Sequence, residues 1–572
     1  MKLTTWLTLS SAVLIGACSN STQPPATQAA STAAAAVTTP QPAKYASEQR
    51  IAAHMTFLAD DALEGRDTGS QGHLIASQYI ASNFQQLGLK PAAANGQYFQ
   101  PVPLIKSLLV QTSPEFSFEL DGKATKLAYP KQFTTSPSNH QGKVSVKDAE
   151  LVFVGYGMVS KEFGIDDYQG LDVKGKIVVM LPGRHHKLPS EEAAHLGALK
   201  AKIAAEKGAI GIITINTPIE EKTRPYSNSL LYLHQPRIRW VHADGHAEGD
   251  YPTLKVSAYL DIEPAKALFA KAPVKLTDIY AQLEKKQSPA GFVLPGKVNF
   301  ARESTQSHIQ SQNVAAVLEG SDPTLKDEYI VVTAHSDHIG VGVDMRSKDR
   351  INNGLMDNAA GVAIMLETAR LFSENAVKPK RSVLFVAVTG EEKGLLGADY
   401  FANNPVRPIE KLVGNVNIDM PVLLYPFADL VAFGANHSTL GETVARAAGQ
   451  YGIKVSPDPM PEQAIFTRSD HYTLVKKGVP AVFLMTGFTS QDPKEKGSDV
   501  WHKFFAKNYH KPTDDVAGLA KEYGKIRYDM GALFADINFA IGMDIANATE
   551  RPMWKKDSFF GKLLGQDYNT QK

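Results

Sequence analysis

Residues 329–340 read Tyr-Ile-Val-Val-Thr-Ala-His-Ser-Asp-His-Ile-Gly, a short β-branched run that ends in a cluster of polar, chemically competent side chains. A run of this length bounded by turn residues reads as a buried strand. Working outward from it, strand and helix patterns alternate. A helix is expected over 361–372 and another over 440–450, with strands over 382–388, 413–418 and 479–484. That alternation defines an α/β sheet covered by helices on both faces. In such sheets the chemistry gathers at the carboxyl ends of the strands. His335 and Asp337 stand at that position.

Four further motifs follow in order: LMDNAAG (355–361), TGEEKG (389–394), NIDMP (417–421) and YHKPTDD (509–515). A hydrolytic zinc takes imidazole and carboxylate ligands and leaves one position open. His335 can bind a metal while Asp337 holds its other ring nitrogen. Asp357 taken singly is a helix N-cap, and taken with the others is a carboxylate bridging two ions. Glu391 and Glu392 end a fully apolar strand, where unpartnered acids are costly. Glu392 then serves as a ligand and Glu391 as a general base. Asp419 completes a first shell with His335 and Asp357, and His510 completes a second with Glu392 and Asp357. No member of the set carries this reading alone. The complementarity of the set does.

The rest of the chain supplies a setting. Its 572 residues suggest two domains with appendages. With 60 Lys and Arg against 59 Asp and Glu, the formal charge is +1, so no basic surplus points to nucleic acid. Residues 1–17 resemble a secretory signal, too short for a spanning helix of roughly 20 residues. The single cysteine, Cys18, follows Ile15-Gly16-Ala17, as in the lipobox of bacterial lipoproteins. A lipidated Cys18 would anchor the chain to the cell envelope, and Ser19 favours the outer membrane. Residues 18–44 are Ser, Thr, Ala, Pro and Gln and read as a disordered tether. A helical face is expected from Ile51, Met55, Leu58 and Leu63, followed by a helix over 75–87. From 105 to 300 the texture turns to short strands around one helix over 191–207. Residues 551–572 carry Trp554, Phe559 and Phe560, which fit packing against the body.

Two resemblances follow from these motifs. The order GYG (155–157), KGKIVVMLPG (174–183), helix, KGAIGIITIN (207–216) resembles the protease-associated domain inserted in many exopeptidases. The five motifs, with LADDALEGRDTGSQG (58–72), resemble the di-zinc exopeptidases that include bacterial aminopeptidases, glutamate carboxypeptidase and the transferrin receptor. That resemblance implies a mixed β-sheet flanked by helices, with a mainly β insertion over 105–300. The peptidase domain would then be split between 45–104 and 301–550. It implies two Zn2+ per chain on His335, Asp357, Glu392, Asp419 and His510, with Asp337 orienting the histidine. The implied reaction is removal of N-terminal residues from peptides by a metal-bridged hydroxide with Glu391 as base. In some aminopeptidases of the family a Tyr four residues before the Asp of the SDH segment helps hold the oxyanion. Here that residue is Phe466, and Arg468 is the nearest replacement, for the oxyanion or for a substrate carboxylate. Asp470 and His471 are expected to support the site. A carboxypeptidase would share this centre, a glutaminyl cyclase would lack the insertion and the full ligand set, and a non-catalytic binding protein would have lost ligands or the base.

Overall fold

The computed structural model describes residues 46–342 and 347–565. Cys18, the signal-like segment and the tether to residue 44 lie outside the described residues, as does 566–572.

Four parallel strands form the centre of the sheet, in the order Ser382–Val388, Tyr329–His335, Leu412–Ile418, Ala481–Thr486. The first is flanked by the antiparallel end of Phe292–Leu318, and the last by Asp429–Phe433, also antiparallel, so the sheet is mixed. Side chains alternate across the pleat. Ile330, Val332, Phe385 and Ala387 face the helices Glu48–Leu58, Gln71–Gln86, Ala360–Glu374 and Tyr528–Asn547. Val331, Leu384, Val386 and Val388 face the helices Leu396–Asn403 and His471–Val475. Each buried Val, Leu, Ile or Phe among these contributes roughly 1.5–3 kcal/mol. The result is rigid strand ends, where the functional side chains sit.

The strand Phe292–Leu318 runs 27 residues without a break. Its first part pairs with Glu115–Leu120 and Gly142–Phe153, its middle with Phe99–Leu109, and its end with Ser382–Val388. The expected boundary at 300/301 therefore falls inside a continuous strand. The inserted region has its own core around Phe116, Phe133, Phe153 and Phe300. The helix expected over 191–207 is two helices, Ser190–Ala198 and Lys200–Glu206, separated at Leu199. Gly197, a weak helix former, lies two residues before the break.

The described C-terminal residues pack on the body. Trp554 is fully buried and its Nε1 donates to the Gly478 carbonyl at 2.6 Å. Phe560 is fully buried against His195, His437, Phe466 and Tyr472.

Candidate metal centre

Three strand ends and two loops converge above the sheet. His335 is the last residue of its strand, Asp419 directly follows Leu412–Ile418, and Glu391 and Glu392 follow Ser382–Val388 across the turn at Gly390. Asp357 lies in the turn Leu355–Ala359 just before the helix Ala360–Glu374, with φ −113° and ψ 87°. It is not the regular N-cap its sequence position suggests. His510 lies in the loop after Gly497–Lys507, with φ 58°. A left-handed backbone at a non-glycine residue costs about 1–3 kcal/mol and persists where surrounding contacts enforce it. Here the Asn508 Nδ2 donates to the Thr513 carbonyl at 3.0 Å and Lys511 N–H donates to the Asn508 carbonyl at 2.9 Å.

The five sequence-expected ligands meet in two groups that share Asp357. His335 Nε2 stands 3.2 Å from Asp357 Oδ1 and 3.1 Å from Asp419 Oδ1. His510 Nε2 stands 3.2 Å from Asp357 Oδ2 and 3.2 Å from Glu392 Oε2. Each Asp357 oxygen thus faces a different group. His338, which sequence reasoning left without a role, joins the second group, with Nδ1 2.7 Å from Glu392 Oε1 and 4.0 Å from Asp357 Oδ2. Neither His338 ring nitrogen nor Glu392 Oε1 has a hydrogen-bonding partner, so the 2.7 Å contact lacks hydrogen-bond alignment. The signal for His338 was present in AHSDHIG, three residues beyond His335.

One expected contact is different. The Asp337 carboxylate does not hold the second nitrogen of His335, since Oδ1 is 3.9 Å away. The Asp337 main-chain carbonyl lies 3.2 Å from His335 Nδ1 instead. The carboxylate accepts from Thr68 Oγ1 at 3.0 Å and from the Glu391 N–H at 3.1 Å. It thereby fixes the Glu391 backbone. The physical reason is competition: two neutral donors approach an acid buried to 0% exposure and satisfy both of its oxygens.

Other neighbours hold the donors in place. Ser469 Oγ donates to Asp419 Oδ2 at 2.6 Å and accepts from Asn417 Nδ2 at 2.7 Å. Asn358 Oδ1 accepts from Gly361 N–H and Met420 N–H, each at 3.0 Å, tying the Asp357 turn to the Asp419 strand end. A Cβ at Gly361 would lie 2.1 Å from Asn358 Oδ1, so only glycine fits there. Asp514 accepts from the Met356 N–H at 3.1 Å and the Asp357 N–H at 3.2 Å. Arg66, from the GRDTGSQG segment, is buried, and it donates to the carbonyls of Ser336, Asn353 and Gly354. That turn-rich segment is a brace under the site.

The electrostatics show what the site lacks. Burial drives Glu391 well above the usual carboxylate range, reinforced by Glu392, Asp419 and Asp470 and opposed by His335. Burial beside Asp357 pushes Glu392 up to about 8. Asp470 is also held well above its usual value by burial and then Asp419 and Asp337, and neither of its oxygens has a hydrogen-bonding partner. Burial lowers His338 to about 3. For His335 burial acts downward, but Asp419 and Asp357 outweigh it and hold the ring well above its ordinary value. Asp357 itself is held well below the usual range by His335 and His510, against the opposing effect of its burial. So many crowded acids, with Arg66 committed to backbone carbonyls, need cations. The donor set, His335 with Asp419 on one side of the shared Asp357 and His510 and His338 with Glu392 on the other, suits divalent ions of the zinc type.

Beside Glu391, Asp357 and Asp419 lies a cavity of about 330 Å3. Arg468 and Tyr509 line it, together with Met420, Met460, Phe483 and Met485. Phe466 does not. It is fully buried, packed against His437, His471 and Phe560.

The fold and this donor set define an α/β protein with a candidate metal centre of two donor groups sharing Asp357, and with a strand-linked insertion. Residues 313–527 match peptidase family M28, and residues 146–243 match the PA domain. The chain thus carries one region similar to peptidase family M28 and, before it, one similar to the PA domain. A probable zinc metalloprotease of Pyrenophora teres f. teres (strain 0-1) is 36% identical over 112 residues, 19% of this chain and 22% of that protein. A glutamate carboxypeptidase 2 homolog of Caenorhabditis elegans is 24% identical over 449 residues, 68% of this chain and 54% of that protein. Aminopeptidase Y of Saccharomyces cerevisiae is 24% identical over 223 residues, 39% of this chain and 37% of that protein. The chain thus spans between about a fifth and about half the length of these curated relatives. Among solved structures, the aminopeptidase from Aneurinibacillus sp. strain AM-1 is similar at a TM-score of 0.49 and 19% identity, over 89% of this chain and 97% of that one.

Proposed function

We propose that this protein is a zinc-dependent aminopeptidase. The observation that carries the reading is Asp357, whose two oxygens face two separate donor groups while Glu391 stands free beside both. His335, Asp357 and Asp419 would hold one zinc, and Asp357, Glu392 and His510 the other, with His338 alongside. Bound there, the ions supply Lewis acidity, lowering the pKa of water and polarising the scissile carbonyl.

The chain's own groups do the remaining work. Glu391, oriented through its N–H by the Asp337 carboxylate, takes a proton from the attacking water on its carboxylate and delivers it to the departing amine. Arg468 and the Tyr509 hydroxyl, both at the cavity wall, are the donors available to a developing oxyanion. The methionine-lined cavity accepts an apolar N-terminal side chain, and its mainly apolar wall favours this over an acidic or basic one. Ser469 and Asn358 keep the donors from drifting.

The test is hydrolysis of leucyl peptides, free and N-acetylated, by wild type and Glu391→Gln, with zinc measured on both. An aminopeptidase cleaves only the free peptides, and Glu391→Gln loses about 10²–10⁴-fold in kcat with unchanged zinc. Cleavage of only the N-blocked peptides, from the C-terminal end, would make it a carboxypeptidase. Binding without any cleavage would favour a non-catalytic protein. We also propose that the chain is a lipoprotein of the bacterial cell envelope, anchored through Cys18. Metabolic labelling with a tagged fatty acid should mark wild type, and labelling that persists in Cys18→Ser would refute this.

A further inference from the structure

On the Glu392 side of the metal centre a second cavity, of about 790 Å3, opens between the inserted region and the sheet. Its wall is formed by Arg237 and Arg239 of the strand Arg237–Trp240, with Thr135, Ser257, Glu392 and Lys393. Arg302 stands behind that wall, donating through Nη1 to Thr135 Oγ1 at 2.7 Å and to the Ser257 carbonyl at 3.3 Å. Three guanidinium groups therefore gather at one end of a cleft whose other end is a metal-ligand candidate.

Their charge is not neutralised within the described residues. The Arg237 side chain makes no hydrogen bond or ion pair among the described residues, and the Nε atoms of Arg237 and Arg302 are buried without partners. The nearest carboxylates are engaged elsewhere. Asp250 is held by Asn139 Nδ2 at 3.1 Å and His140 at 3.4 Å, and Glu248 by His242 at 2.8 Å. Asp399 accepts from Lys476 at 2.7 Å and Trp240 Nε1 at 2.8 Å. Burial, and then repulsion between neighbours, lowers Arg237 and Arg302 to about 10, so both stay charged at neutral pH. Lys393 at the mouth is paired with Asp67 at 2.8 Å. Clustered, half-buried cations without counterions are destabilising, which an anion in the cleft would offset.

We propose that this cleft binds a carboxylate of the substrate on the leaving-group side of the scissile bond, with Arg237 as its principal donor. The inference rests on the aminopeptidase reading. The apolar cavity on the Glu391 and Asp419 side takes the N-terminal side chain, which directs the rest of the peptide toward Glu392 and the arginines. A guanidinium matches a carboxylate in two parallel hydrogen bonds, and the unsatisfied Nε of Arg237 is one of the donors such a pair uses. The carboxylate is either the C-terminus of a short peptide or an acidic side chain of a longer one.

The test uses the zinc-loaded full chain and the series Leu-Gly, Leu-Gly-Gly and Leu-Gly-Gly-Gly, each as free acid and as C-terminal amide. Amides with Glu replacing one Gly form a third arm. At the length that reaches the arginines, kcat/KM should favour the free acid by about 10-fold, the factor expected for one charge-assisted pair. Restoration of the preference by Glu in an amide would assign the side chain as an alternative source. Arg237→Gln should bring the acid-to-amide ratio close to one, and Arg237→Lys should restore part of it. A wild-type ratio near one at every length, with no gain from Glu, overturns the proposal. If nothing is hydrolysed, the peptidase reading fails, and calorimetric binding of the same acid and amide pairs decides the cleft. About 10-fold tighter binding of an acid supports it, and equal binding of all pairs overturns it.

Discussion

Ser469→Ala removes one oxygen from the centre of the site, and its consequence can be worked from three distances. The hydroxyl donates to Asp419 Oδ2 at 2.6 Å and accepts from Asn417 Nδ2 at 2.7 Å, while Asp419 Oδ1 lies 3.1 Å from His335. Alanine leaves the Asn417 amide hydrogen without this buried acceptor and frees Asp419 to rotate. Loss of a hydrogen bond to a charged group costs roughly 1.5–3 kcal/mol, and an unsatisfied buried donor about 1–3. Part of this will be recovered by water in the vacated space. The metal-free protein should therefore lose about 1–3 kcal/mol of stability. Partners behind a ligand typically tune metal affinity by about 10–100-fold, so zinc at the His335, Asp357 and Asp419 group should weaken by that factor. The group with His510 should keep its affinity. Competition with a chromogenic chelator, run beside urea unfolding of the metal-free form, measures both. Equal weakening of both zinc ions, or no weakening at all, would refute the assignment of Ser469 to Asp419 alone.

Three further outcomes follow from the same geometry. Metal-free protein should lose stability as pH rises from about 6.5 to 8, because Glu392, at about 8, and Asp514, at about 7, hold protons when folded that they release when unfolded. The raised His335 adds to this loss, while His338, at about 3 when folded, opposes it only weakly, because its unfolded ring is about half protonated at pH 6.5 and neutral by 8; a flat or rising urea midpoint would contradict the burial of these acids. Gly361→Ala should reduce zinc binding and activity together, since its Cβ has no room beside Asn358 Oδ1, and an unaffected variant would exclude that packing. Phe560→Ala, at a site with 0% exposure, should cost about 3–5 kcal/mol, read by thermal unfolding, and a cost below 1 would show that the tail is not part of the core.

How much of this was legible in sequence depended on whether the signal was local. The strands around Val331, Phe385 and Val416 were read correctly because short apolar runs between turn residues leave few alternatives. The five candidate ligands converge as expected, and four of them, His335, Asp357, Glu392 and Asp419, sit at a strand end or in a helix-leading turn, positions that sequence marks directly. What was missed is tertiary. Thr68 meets Asp337 across 269 residues, Ser469 meets Asp419 across 50, and Asp514 meets Asp357 across 157. No periodicity announces such contacts. The Asp337 carboxylate went to Thr68 and Glu391 rather than to His335 for the same reason. His338 and Tyr509 were inside quoted motifs, yet their roles depend on which way each ring turns, which spacing alone leaves open. The arginine cleft depends on strands 65 residues apart, Arg237 and Arg302, folding onto one wall.

The central claim is that Asp357 joins two zinc sites, and calorimetric titration of metal-free protein with zinc tests it most directly. Two equivalents should bind to wild type, and Asp357→Ala should weaken both of them. One equivalent in wild type, or two retained at full affinity in Asp357→Ala, would contradict it.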